Sequence, residues 1–326
     1  MKKITIETGL TARFRARKYG ANGELNLDTG WFNNHILDNG LSYVCRKYSS
    51  GTAIAGVVIG TGNSAPSDSD LALDSYLAKS STAQGAASYS KNPDDRSVTS
   101  VRTFRFGPGV GTGNISEMGM GLADSGANLG SSSELYSRAL IRDSGGNPIT
   151  ITKLADETLD VSWEHTIFAP PNDIIGTFIQ NIDGVDVDTS YVLRPGNTYQ
   201  GIEGVTYDPK FAPTIGSGSQ TNDGQTLVGR LGIGAVFESL PSTGSTTTAQ
   251  GVGSFAFLGS YSEGQFYRDM RLQLGLTNGN FSGGSFNAIK FLVGNYVWAM
   301  SLSPAIPKTA SKLYTLDMRF SVARRA

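Results

Sequence analysis

The stretch that most invites a chemical reading is "VVIGTGNSAPSDSDLALDSYLAKS", Val57 to Ser80, where a β-branched run turns on Gly60-Thr61-Gly62-Asn63. A strand running into a glycine turn is how phosphate-cradling loops begin. The Gly-Lys-Ser/Thr of such a loop is missing, and Asp68, Asp70 and Asp74 stand where a phosphate needs cations. A second Gly-Thr-Gly-Asn at 111–114 points to a repeated strand-to-loop turn, in which glycine supplies positive φ and asparagine tolerates it. Nucleotide binding is therefore not expected.

Other constellations are equally thin. His35 and His165 are the two histidines, and His165 sits in an alternating strand. With no Gly-x-Ser-x-Gly elbow, no His-Glu-x-x-His and one cysteine, neither a serine triad nor a zinc site is expected. Asp183, Asp186 and Asp188 could approach a calcium ion, but the twelve-position loop pattern is absent and a hairpin with exposed aspartates is the better reading. A glycosidase pair could be chosen from Asp156, Glu157 and Glu164, although nothing separates these from solvent-facing charges. Phe255, Phe257, Tyr261, Phe266 and Tyr267 could stack on sugar rings, but their alternation with Ala256 and Leu258 favours a core strand. The expectation is no catalytic residue, no metal and no cofactor.

One cluster remains. Arg13, Arg15 and Arg17 lie in "KITIETGLTARFRARKYG", which reads as an edge strand or arm. On a neighbouring copy those cations could meet Asp68, Asp70 and Asp74, a contact that would orient subunits more than bind them.

The elements that must position these groups are strands. The 326 residues include 41 glycines with abundant Ser, Thr and Asn, a composition suited to short strands and tight turns. The expected fold is all-β and antiparallel, sandwich-like, in two β modules: 1–170 and 171–326, divided at Pro170-Pro171, which cannot donate to a ladder. In "ADETLDVSWEHTIFAPP", Leu159, Val161 and Trp163 should face one way and Asp160, Ser162 and Glu164 the other. Val98, Val101, Phe104 and Phe106 should point inward, "SSTAQGAASYSKNPDDRS" should be a loop, and the Asn-Gly and Ser-Gly pairs between Trp31 and Asn63 should be turns between strands. Downstream, "TIGSGSQTNDGQT" and "LPSTGSTTTAQGVGS" read as mobile loops and "TLVGRLGIGAVFESL" as a strand. "PITITKLADETLDVSWEHTI" at 148–167 also echoes "PAIPKTASKLYTLDMRFSVA" at 304–323.

The net charge of -1 gives no overall field for nucleic acid or an anionic membrane. Polar residues follow Met1-Lys2-Lys3 where a signal peptide would be apolar, and no run is long enough for a transmembrane helix, so neither is expected. Cys45 has no internal partner and is expected to be a buried packing residue.

"IGTGNSAPSDSDLALDSYLAKS", "FRFGPGVGTGNISEMGMG", "LYSRALIRDSGGNPITITKLADETLDVSW" and the ending "SPAIPKTASKLYTLDMRFSVARR" together resemble the virion structural proteins of tailed bacteriophages, of the tail or tail-fibre kind. The resemblance is clearest over 57–170 and extends more weakly to the last 25 or so residues. It implies a non-enzymatic role in the particle, assembled in the host bacterial cytoplasm. The implied partners are other copies of the chain in a trimer or ring, other virion proteins and a host surface glycan, with no nucleic acid and no membrane insertion. The rival readings are a domain that binds or degrades host polysaccharide and a head decoration protein.

Overall fold

The computed structural model describes residues 3–45, 54–92, 94–122, 134–182, 184–195, 232–234, 254–276, 285–293 and 296–325. The strands in chain order are β1 (Ile4–Tyr19), β2 (Leu25–Asp28), β3 (Phe32–Ile36), β4 (Ile54–Gly60), β5 (Tyr76–Ser80), β6 (Ser88–Asn92), β7 (Ser97–Phe106), β8 (Gly113–Ile115), β9 (Glu117–Leu122) and β10 (Leu135–Leu140). They continue with β11 (Ile151–Lys153), β12 (Thr158–Phe168), β13 (Ile174–Ile182), β14 (Val185–Pro195), β15 (Gly232–Gly234), β16 (Ser254–Phe257), β17 (Tyr267–Leu274), β18 (Ser285–Val293), β19 (Tyr296–Pro307) and β20 (Tyr314–Arg324). A single helix among the described residues, α1 (Asp38–Cys45), follows β3. The fold is all-β with antiparallel sheets, as the composition implies.

Strand β1 organises the larger sheet. Its alternate residues Ile4, Ile6, Leu10, Ala12, Phe14 and Ala16 are buried, while Arg13, Arg15 and Arg17 lie on the opposite face. This is not the edge strand or free arm expected from its charges. One side of β1 carries β12 over Gly9–Tyr19, and the other carries β20 in parallel over Ile4–Leu10, then β3 and β2. Acidic side chains on neighbouring elements neutralise the arginines, and that is why a basic strand can sit inside a sheet. The path continues from β3 through β10, β9 and β4 to β5, and from β20 through β17 to β16.

A second, five-stranded sheet has the order β13-β14-β19-β18-β15. The chain changes sheet between Phe168 and Ile174, across Pro170-Pro171, but β16, β17 and β20 return to the larger sheet. One continuous core joins the two: Phe178, Trp298 and Met300 belong to the same buried cluster as Phe14, Trp163 and Phe320.

Local readings fare unevenly. Leu159, Val161 and Trp163 are buried on one face of β12 as expected. The echoed segments flank β1 on its two sides, β12 antiparallel and β20 parallel, and each carries a fully buried lysine, Lys153 and Lys308, that donates to a backbone carbonyl. Val98, Phe104 and Phe106 point inward, but Val101 is out of phase with them and shares the other face with Glu164. The expected loop at 80–97 contains β6, which its polar side chains concealed. The Asn39-Gly40 pair, read as a turn, lies in the first turn of α1. Gly40 is required there because a Cβ would sit 2.2 Å from the Tyr136 carbonyl oxygen. The glycine-rich segment at 214–226, that at 240–254 except its last residue, most of the strand at 226–240 and the side chains of Phe255 and Phe257 lie outside the described residues.

Candidate functional site

The first Gly-Thr-Gly-Asn loop is folded around an acid. Glu117 opens β9, is fully buried, and accepts hydrogen bonds from the backbone N–H groups of Gly62 (2.9 Å), Ser75 (2.9 Å) and Asp74 (3.2 Å). The guanidinium of Arg138, on β10 and 1% exposed, donates to Glu117 at 2.9 Å and to Asp70 at 2.6 Å, and pairs with Asp74 at 2.8 Å. Burial works against the Arg138 charge, but Asp70 and Glu117 outweigh it and hold its pKa above the ordinary value. Hydrogen bonding from Ser64, helped by Arg138, holds the Asp74 carboxyl below the usual range.

This arrangement corrects the role assigned to the glycines. Gly60 and Gly62 are not needed for positive φ: a Cβ on Gly62 would sit 2.3 Å from the Glu117 carboxylate, and one on Gly60 2.4 Å from the Ser75 carbonyl oxygen. They are glycines because the loop is drawn tightly onto a buried carboxylate. In the second Gly-Thr-Gly-Asn, Gly111 and Gly113 do take positive φ, as expected.

The six residues picked as an inter-subunit contact all have partners within the chain. Arg13 pairs with Glu164, opposite it in register on β12, while Arg15 and Arg17 share Asp28. Asp70 and Asp74 belong to Arg138, and Asp68 meets His35 at 2.6 Å and Arg324 at 3.3 Å. The structure therefore brings Asp70 and Asp74 together around one buried arginine, gives Asp68 to His35 and Arg324, and leaves the basic trio in a separate ladder.

Of the carboxylates considered for glycosidase chemistry, Asp156 is exposed and the other two are engaged. Glu164 holds Arg13, and Glu157 holds Lys18 at 2.9 Å. Bonding from the Leu154 N–H and from Lys18 keeps the Glu157 carboxyl below its usual range, the wrong direction for a general acid. His165 is buried against Trp163 and hydrogen-bonds the Tyr136 hydroxyl at 2.8 Å, and burial pushes its pKa down to about 3, so it stays neutral. Asp183 lies outside the described residues, and among those described no cluster of potential ligands could hold a metal.

A groove of about 950 Å³ lies beside the Arg138 network. Its floor is the outer face of β1, β12, β7 and β6, including Thr11, Glu164, Thr166 and Thr99; its walls include His35, Arg138, Arg142, Arg324 and Arg325. Sequence reasoning missed it, because its residues come from seven separate segments and none forms a motif.

No protein-family model matches the chain, and comparison with characterised proteins and with solved structures returns no match.

Proposed function

We propose that the chain is a non-enzymatic structural component of a tailed-bacteriophage virion, a tail or fibre subunit that works as a symmetric homo-oligomer and is assembled in the bacterial cytoplasm. The observation that carries this reading is the convergence of the resembling stretches. Loop 60–75, the "ISEMGMG" strand and the "LYSRALI" strand are distant in sequence, yet they meet at Glu117 and Arg138. The residues that carry the likeness to virion proteins are therefore those that hold one architectural unit together.

Self-association has a better candidate surface than the basic trio. Strand β13 ends the five-stranded sheet among the described strands, and Ile175 (73%), Ile179 (54%) and, on the adjoining hairpin, Val185 (63%) are exposed. An open edge beside apolar side chains is a liability in a lone subunit and a joint in a repeated one.

Mass spectrometry of purified particles, with heads and tails separated, tests the location: the chain is expected in the tail fraction. Its absence from particles in cells that make it would refute the reading, and recovery with heads alone would favour head decoration. Light scattering of the intact chain should give an oligomer that Ile175→Lys with Ile179→Lys dissociates; a monomer for the intact chain would remove self-assembly from the proposal.

A further inference from the structure

The floor of the groove carries a row of hydroxyls whose order is fixed by strand register. Thr11 lies opposite Thr166, Thr166 opposite Thr99, and Thr99 opposite Ser90. Four adjacent strands thus each place one hydroxyl in a line across the sheet, at a strand spacing of ~4.8 Å and over a length of ~14 Å. The Thr99 and Thr166 hydroxyls are 2.8 Å apart, and each oxygen retains capacity for a further bond.

The charges along this floor are unevenly matched. Arg13, Arg138 and Arg324 each face a carboxylate. Arg325 is exposed and lies over the Phe168 ring at 4.1 Å, and Arg142 donates to the Gly146 carbonyl; neither has a carboxylate partner among the described residues. Two guanidinium groups without a carboxylate partner therefore border a hydroxyl-lined floor, against the one exposed carboxylate of Asp95 in the same lining.

We propose that this groove binds a segment of an acidic, carboxylate-bearing polysaccharide, with its carboxylates on Arg142 and Arg325 and its hydroxyls on the row from Thr11 to Ser90. A pyranose chain repeats at close to the strand spacing, and its hydroxyls can both donate to and accept from the row. Guanidinium groups without a carboxylate partner suit planar carboxylates. A DNA strand fits less well, because its sugar-phosphate backbone has no internal hydroxyls to pair with the row from Thr11 to Ser90. An acidic peptide would add to a strand edge, whereas most of this floor is a sheet face in which β1, β12 and β7 are paired on both sides. The inference does not rest on the virion reading, since binding is measured on the purified chain whatever particle it belongs to.

The test is titration calorimetry of the full chain at low salt with four probes: oligogalacturonate, oligosialic acid, neutral cello-oligosaccharide and oligo-dT. At least one acidic oligosaccharide is expected to bind, more weakly as salt rises, and at least tenfold more tightly than the neutral one. Arg142→Gln and Arg325→Gln should each weaken that binding roughly tenfold, and Thr99→Val with Thr166→Val should weaken it further. Circular dichroism and melting temperature should be unchanged in the two arginine variants. Failure of both acidic oligosaccharides to bind at millimolar concentration would overturn the proposal. So would equal affinity for the neutral sugar, tighter binding of oligo-dT, or binding indifferent to both arginines.

Discussion

Replacing Glu117 by glutamine keeps the side chain's shape and removes its charge. The carboxylate now serves two sets of donors, the Gly62 and Ser75 amides on one oxygen and the Asp74 amide with Arg138 on the other. A carboxamide has a single acceptor oxygen, so whichever way it turns, one set faces an NH₂ group. Two buried donors left without acceptors cost about 1–3 kcal/mol each. Removing one partner of a buried ion pair costs about 3–5 kcal/mol, reduced here because Asp70 and Asp74 still hold Arg138. These overlapping terms put the loss at about 3–5 kcal/mol. For a chain of this length unfolding as one unit, that lowers the melting temperature by about 4–7 °C. Scanning calorimetry reads the global effect, and hydrogen exchange of peptides covering 60–75 reads the local one, with faster exchange expected at Gly62 and Ser75. A loss below about 1 kcal/mol with the loop still protected would refute the claim that this carboxylate holds the loop.

Three further outcomes are expected. Gly62→Ala should destabilise the chain by at least as much as a typical core substitution, about 2 kcal/mol or more by urea denaturation, because its Cβ would enter the space of the Glu117 carboxylate. His165 has a folded pKa of about 3 against an ordinary 6.5, so its contribution is complete above pH 6.5 and is lost as the pH falls toward 3; wild-type stability should drop by about 2 kcal/mol between pH 7 and 5, and His165→Gln should flatten that part of the curve. Arg13→Gln should change stability by no more than about 1 kcal/mol, its pair with Glu164 being partly exposed, and should leave the mass in solution unchanged; dissociation would restore the basic trio as a subunit contact.

Alternation alone made β12 legible as a strand, since apolar and polar residues take opposite faces, but the half-buried strand that this pattern predicts is buried on both, because Asp160, Ser162 and Thr166 are bonded to Arg105, Thr103 and Thr99 on β7. Strand β1 was legible as a strand but not in its position. Its arginines carry the marks of an edge, and the acids that neutralise them, Glu164 and Asp28, lie in segments that nothing in the sequence pairs with it. Helix α1 was hidden because Asn-Gly is a strong turn signal, and only the close approach to Tyr136 explains the glycine inside a helix. The Glu117–Arg138 pair sits in two apolar-looking strands, where each charge read alone suggests a solvent-facing position. Its partners Asp70 and Asp74 were singled out only as acids for the arginines of a neighbouring copy, whereas the cation that holds them is 64 or more residues away in the same chain, on β10.

The parallel pairing of β1 with β20 also sets a timetable. Ile6 and Ser321 are bonded across 315 residues, so when β1 leaves the ribosome the strand that completes its first half does not yet exist. Until β20 is made, the nascent sheet holds an unfilled slot beside Ile4, Ile6 and Leu10, and those side chains stay available to any passing strand. Closure of so distant a contact is slow by nature. During translation this slot is where a chaperone, or the corresponding strand of another nascent copy, would compete with the chain's own last strand.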